Sequence, residues 1–214
     1  MNKKLIAKVI QSIVDQPEKH EQESWVRVAA PHDTFGEVVI DPEVKLTLKG
    51  EVPISNLLAL EGSCETTACI AGWTLLHEGY VTDASDLPTY GNVRVNRILS
   101  PHGDRFTFED IGLEAANRLG LWDQPFGQLF YDMNEESALA QLMFLYENER
   151  LPEIEVMCDE DYGEGEGVFV PDYMQDYDRE DLLVEGVDIE TFTRTWLAVL
   201  HEKFQPTPMP EMAH

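Results

Sequence analysis

Apolar side chains open the chain at Leu5, Ile6, Val9, Ile10, Ile13 and Val14, three or four positions apart, with Lys3, Lys4, Lys8 and Gln11 between them. That spacing predicts an amphipathic helix, and Pro17 ends it. From Phe35 to Val52 the period shortens. The runs EVVI and VKLTLKGEV are separated by Asp41-Pro42, and Lys45, Thr47 and Lys49 alternate with Val44, Leu46 and Leu48. A small β-hairpin with one wet face is expected there. Helical spacing returns at Pro53 to Leu60 and at Thr67 to Glu78, where Cys69, Trp73 and Leu76 form a stripe beside Ala68 and Gly72. Gly79 is placed to stop that helix in a left-handed conformation. The stretch SDLPTYGNVRVNRILSPHGD reads as loop with a short strand at Val93 and Val95.

Downstream, Thr107 and Asp110 form a capping pair for a helix that buries Phe108, Ile111, Ala115 and Leu119 and stops at Gly120. Asn134 caps the next helix, with Leu139, Leu142, Met143 and Tyr146 as its apolar contacts. Asp188 caps a last one carrying Phe192, Trp196, Val199, Leu200 and Phe204. A helix this apolar docks on a core. The expected fold is therefore mainly α within an α+β class: a helical core over 1–150 with a small β-hairpin, and an acidic excursion over 151–187. A C-terminal helix over 188–205 packs back on the core, and a flexible tail follows over 206–214.

Charge changes the picture more than length does. Hydrophobic types make up 43% of 214 residues, enough for a sizeable core without covalent staples. Against 15 Lys and Arg stand 41 Asp and Glu, a formal charge of −26. Such a field repels phosphate backbones and anionic membranes and attracts basic proteins. Between Leu151 and Glu190 there are fifteen acidic residues and one basic residue, Arg179. Phe169, Val170, Tyr173, Met174, Tyr177 and Leu182 to Val184 interrupt the acid, so two readings stand: an ordered acidic surface or a linker. No run approaches the roughly 20 apolar residues of a membrane span, and LIAKVIQSIV is too short and polar for a signal segment. A cytoplasmic protein is expected.

The stretch CETTACIAGWTLLHEGY concentrates Cys64, Cys69 and Trp73. Four residues separate the cysteines, where common zinc and redox motifs have two. Packed, reduced thiols come first, because cysteine is among the most buried residue types. A zinc site using Cys64, Cys69, His77 and His102 is the alternative, followed by a redox pair and by a nucleophilic Cys69 in the first helical turn. No G-x-x-x-x-G-K-[ST] loop, H-E-x-x-H helix or G-x-S-x-G elbow occurs. DYGEGEGVF lacks a phosphate-binding Lys, and counting from Asp159 puts Val170 where a calcium loop needs Glu. The six histidines share no catalytic spacing, and carboxylates this abundant single out no acid and base pair. A non-enzymatic protein without a cofactor is expected.

One arrangement is shared more widely. Trp25, Cys64, Thr66, Cys69, Ala71, Gly72 and Trp73, followed by Leu119, Gly120, Leu121, Leu129 and Phe130, resemble a pattern in small proteins of bacteriophages, especially of actinobacteria, and of some bacteria. The likeness spans roughly residues 15 to 133, and Glu65 stands where the pattern has Gly. It implies a phage or phage-derived origin, hence the host cytoplasm, and supplies no activity. The acidic segment lies outside it.

Two functional expectations follow. The first is an acidic interaction protein, an inhibitor imitating the charge of nucleic acid. Its partner-binding residues are Asp159, Glu160, Asp161, Tyr162, Glu164, Glu166, Asp172, Tyr173, Asp176, Tyr177, Asp178, Glu180 and Asp181. Its partner is a basic or nucleic-acid-binding protein rather than nucleic acid or membrane, with self-association left open. The second is a small metal-stabilised accessory module built on Cys64 and Cys69.

Overall fold

The N-terminal stripe folds as a helix, α1, from Lys3 to Asp15, and buries Leu5, Ile6, Val9, Ile10 and Ile13. The computed structural model describes residues 1–20, 22, 26–28, 51–53, 67–83, 93–94, 97–130, 134–156 and 182–208. Asn2 caps α1 through its Oδ1, which accepts the Leu5 N–H at 3.2 Å. Its own N–H reaches across to the Leu119 carbonyl at 2.7 Å. The start of α1 thereby satisfies a carbonyl at the end of another helix, where such groups have no partner of their own.

Among the described residues the remaining helices are α2 (Ile70–His77), α3 (Phe108–Leu119), the single turn α4 (Gly127–Phe130), α5 (Glu135–Asn148) and α6 (Ile189–Lys203). Helix α2 is central: Ile70 to Leu75 are all buried, with α1 on one side and α3 on another. The helical spacing read from Thr67 starts as a helix only at Ile70, with Cys69 as its cap, because Thr67–Ala68 extend as a strand. Gly79 takes φ +76, as its stop position requires. At α3 the Asp110 carboxylate accepts from the Thr107 N–H at 3.2 Å and from its Oγ1 at 2.8 Å. Gly120 ends α3 at φ +78. On α5, Asn134 Oδ1 accepts the Ser137 N–H at 2.8 Å.

Helix α6 returns to the core and lies along α5. Phe144 meets the Phe192 ring at 5.7 Å and Trp196 edge-on at 5.0 Å, and Tyr146 meets Phe204 at 5.4 Å. These rings account for the docking that the α6 stripe predicts, since aromatic pairs add to area burial in such geometries. The tail beyond α6 begins as a held segment: Thr207 donates from N and Oγ1 to the Asp15 carboxylate at 2.7 and 3.0 Å. Residues 209–214 lie outside the described residues.

The strands are short and all their ladders are antiparallel. They are β1 (Val26–Val28), β2 (Glu51–Pro53), β3 (Thr67–Ala68), β4 (Val81–Asp83), β5 (Val93–Arg94), β6 (Arg97–Leu99), β7 (Arg105–Thr107), β8 (Ile154–Val156), β9 (Leu182–Val184) and β10 (Val187–Asp188). Among the described residues they form three small sheets, ordered β3-β1-β5, β2-β4-β6-β7 and β10-β9-β8. The fold is thus a helical core with small antiparallel β elements. The β content differs from the expectation in its distribution. The Phe35–Val52 hairpin lies outside the described residues except for β2, whose described partner is β4. Within the stretch read as loop, Arg97–Leu99 is a strand that pairs with β4 and β7, and Ile98 and Leu99 are buried. Three residues are too few for alternation to stand out from a polar background. The expected helix over Pro53 to Leu60 falls outside the described residues after Pro53, which closes β2.

Candidate functional site

The acidic excursion is rooted in the β8-β9-β10 sheet. Ile154 pairs with Val184, Glu155 with Leu183 and Val156 with Leu182. Chain direction alternates side chains across a strand, so Ile154 is buried while Glu153 and Glu155 beside it are exposed. Leu182 and Val184 enter the same core. Burial of these apolar groups holds both roots of the excursion. Because Val156 and Leu182 are cross-strand partners, the twenty-five residues between them leave and return at one point of the fold. Adjacent strands lie about 4.8 Å apart.

Strands β9 and β10 are joined by Glu185 and Gly186, at φ +54 and +74. Two consecutive positive φ values make the tight primed turn whose twist suits a hairpin. Gly supplies one without cost. Glu185 takes the other, held by Arg150: Nη1 and Nη2 donate to its two carboxylate oxygens at 2.6 and 2.9 Å. Oε1 also accepts the Glu153 N–H at 2.9 Å, and the Glu185 N–H donates to the Glu153 carbonyl at 2.8 Å. The Arg150 guanidinium lies 5.0 Å over the Phe144 ring. Hydrogen bonding from Arg150 holds the Glu185 carboxyl below its ordinary range. The clamp ties β8, the β9-β10 turn and the end of α5 together. Around it Glu153, Glu155, Asp188 and Glu190 face solvent.

All thirteen partner-binding residues of the sequence reading, from Asp159 to Asp181, fall within 157–181 and lie outside the described residues. So does Cys64. Cys69 is wholly buried; its Sγ accepts the Gly72 N–H at 3.5 Å, and burial pushes the thiol up to about 12. Burial thus favours the protonated thiol, whereas the thiolate is the reactive form. His77 closes α2, its Nε2 2.8 Å from Ser12 Oγ on α1. Burial, and Lys8 nearby, lower its pKa. Cys69 and His77 stand about 12 Å apart along the α2 axis at 1.5 Å per residue. Atoms bound to one zinc sit within about 4 Å of each other. His102 is exposed in the turn between β6 and β7. Among the described residues no three His, Cys, Asp or Glu side chains are grouped to hold a metal ion.

Two polar groupings were not legible in the sequence. The buried Tyr80 hydroxyl donates to the Glu114 carboxylate, which also receives Arg118 at 2.7 Å. Burial first, and then Glu114, raise the Tyr80 pKa, so this phenol is a fixed donor. The arrangement welds the residue entering β4 to α3. The other lies at α2. His20 Nδ1 is 3.3 Å from the Ala68 carbonyl, and Gln22 spans from the Leu129 carbonyl at 2.6 Å to the Ile70 N–H at 3.4 Å. Burial drives the His20 pKa down to about 4. Among the described residues the buried indole N–H of Trp73 has no hydrogen-bond partner. The only sequence signal was the i, i+4 spacing of Glu114 and Arg118. Comparison of the chain with family models, curated proteins and solved structures finds no match in any of the three. Among the described residues no helix is long and apolar enough to cross a membrane.

Proposed function

We propose that this protein is a non-enzymatic acidic interaction protein that binds a basic, nucleic-acid-binding partner through its carboxylate-rich excursion. One observation carries the reading. The stretch with ten acidic residues and one arginine begins and ends on paired strands of a core-anchored hairpin. A chain closed at both ends explores far less space than a free tail. Where that stretch leaves and rejoins the core, Glu153, Glu155, Asp188 and Glu190 add exposed carboxylates of their own. Lys and Arg of a nucleic-acid groove are the natural counterpart of such a field. Tyr162, Tyr173 and Tyr177 supply rings of the kind that carry interface energy. Joined to the phage-like arrangement of the N-terminal part, the reading becomes that of a phage inhibitor that competes with nucleic acid.

The test is capture from host lysate by the full chain, compared with a chain in which 157–181 is replaced by an uncharged Gly/Ser linker of equal length. The expected result is a basic nucleic-acid-binding protein retained by the full chain, released by added duplex DNA, and lost with the linker. Retention that is indifferent to DNA and to the linker overturns the reading.

A further inference from the structure

Among the described residues four large apolar side chains are exposed: Met1, Leu113, Trp122 and Val187. The first three come from one part of the fold. Leu113 and Asn117 lie one turn apart on the outer face of α3, and Gly120, seven residues after Leu113, falls on that face where the helix ends. Met1 lies over it, since a Cβ at Gly120 would be 2.7 Å from Met1 Cα. Trp122 follows two residues on, within about 7.6 Å of Gly120 at 3.8 Å per residue. It is 74% exposed, the barest of the three. Single exposed apolar residues are ordinary, but tryptophan is highly buried on average.

The support beneath Trp122 is fixed. Leu121 is wholly buried, and its N–H donates to the Ala116 carbonyl at 2.8 Å. The Gln124 N–H closes a turn on the Leu121 carbonyl at 3.0 Å, and the Gln124 carbonyl takes the Phe126 N–H at 2.8 Å. Gln124 Oε1 accepts the Leu151 N–H at 2.6 Å. Trp122 therefore stands at the tip of a turn pinned at both stems, and covering its ring orders little backbone.

The bond to Leu151 also joins this turn to the acidic part of the molecule. Leu151 lies two residues before exposed Glu153 and three before β8, on which the excursion begins. Three side chains cover far less than the roughly 800 Å² per partner of a stable interface, so the face is one part of a larger contact. A second copy is opposed by the formal charge of −26 that it also carries. A basic protein is drawn by the same charge, and one that engages the root of the excursion has the Trp122 turn beside it.

We propose that the face formed by Met1, Leu113 and Trp122 is the apolar anchor for that basic partner, with Trp122 filling a pocket on it; this inference rests on the function proposed above. Charge steers encounter and sets the salt dependence, whereas a buried aromatic anchor sets how slowly the complex parts. The two contributions are separable.

The experiment uses the full chain and the purified partner that it retains, with affinity and dissociation rate followed against salt. Trp122→Ala changes an exposed side chain and should leave the urea midpoint in place. Binding should weaken by more than about 30-fold, the scale of a hot-spot residue. The loss should appear as faster dissociation, with the salt dependence of affinity unchanged. Native affinity in Trp122→Ala overturns the inference and leaves the acidic reading standing. Failure of the full chain to retain a basic partner overturns both. Self-association of the native chain that Trp122→Ala abolishes gives the face to a second copy and overturns the inference as well.

Discussion

Replacing Gly120 by Ala tests how the chain start is packed against α3, and Gly186→Ala is its internal control. Both glycines have nearly the same backbone, φ +78 and +74. A Cβ in that region costs about 1–2 kcal/mol wherever it occurs. Their surroundings differ. Around Gly186 a new Cβ meets nothing within 4 Å, whereas at Gly120 it falls 2.7 Å from Met1 Cα and 3.0 Å from Met1 N. Carbon atoms in good contact sit about 3.5–4.0 Å apart, so Met1 must move by nearly an ångström. Met1 leads directly into Asn2, whose N–H to the Leu119 carbonyl is 2.7 Å long. Overpacking of this kind costs about 1–3 kcal/mol, and a weakened backbone hydrogen bond adds about 1 kcal/mol. The expected loss is about 1–2 kcal/mol for Gly186→Ala and about 3–6 kcal/mol for Gly120→Ala. Urea unfolding read by tryptophan fluorescence measures both, provided the slope m is shared. Equal losses at the two positions would refute the close approach of Met1 to α3.

Other perturbations probe the remaining joints. Tyr80→Phe removes the donor to Glu114 while leaving the Arg118 pair, and should cost about 1.5–3 kcal/mol in the same urea assay, the worth of a hydrogen bond to a charged group. Asn134→Ala removes the α5 cap and should cost about 1 kcal/mol, with Asn134→Ser recovering most of it. Glu185 has a folded pKa below its ordinary 4.5, so its contribution is complete above that value and is lost as pH falls through the folded pKa. An NMR titration of its side-chain carboxyl should therefore show a midpoint below 4.5 that rises towards 4.5 in Arg150→Ala; an unchanged midpoint would remove the clamp.

The helices were legible where period and punctuation agreed. Leu5 to Val14 set α1, Thr107 with Asp110 set the start of α3, and Asn134 and Asp188 set the starts of α5 and α6, as the capping bonds confirm. Helix α2 was legible from its stripe and from Gly79 but not at its start, because Thr67–Ala68 are drawn into pairing with β1. Strands β4, β6, β7, β8 and β9 escaped notice because each has three residues, too few for alternation to show. The turn Glu185-Gly186 was readable in principle, since a Gly flanked by short β-branched runs signals a hairpin. Of the site, the density of carboxylates was plain, but the pairing of Ile154 with Val184 that closes the excursion was not. Nor could spacing alone bring Arg150 to Glu185 or His20 to Ala68, each a contact between residues more than thirty positions apart.

The most direct measurement takes the captured partner and a chain in which the ten Asp and Glu of 157–181 become Asn and Gln. Affinity is followed by calorimetry between about 0.05 and 0.3 M salt, a range in which screening shortens to within a few ångströms. For the native chain the expected fall is more than about tenfold, as for a contact dominated by released counterions. The amidated chain should bind more weakly and show a nearly flat salt dependence. Equal affinity and equal slope for the two chains would contradict a partner held by these carboxylates.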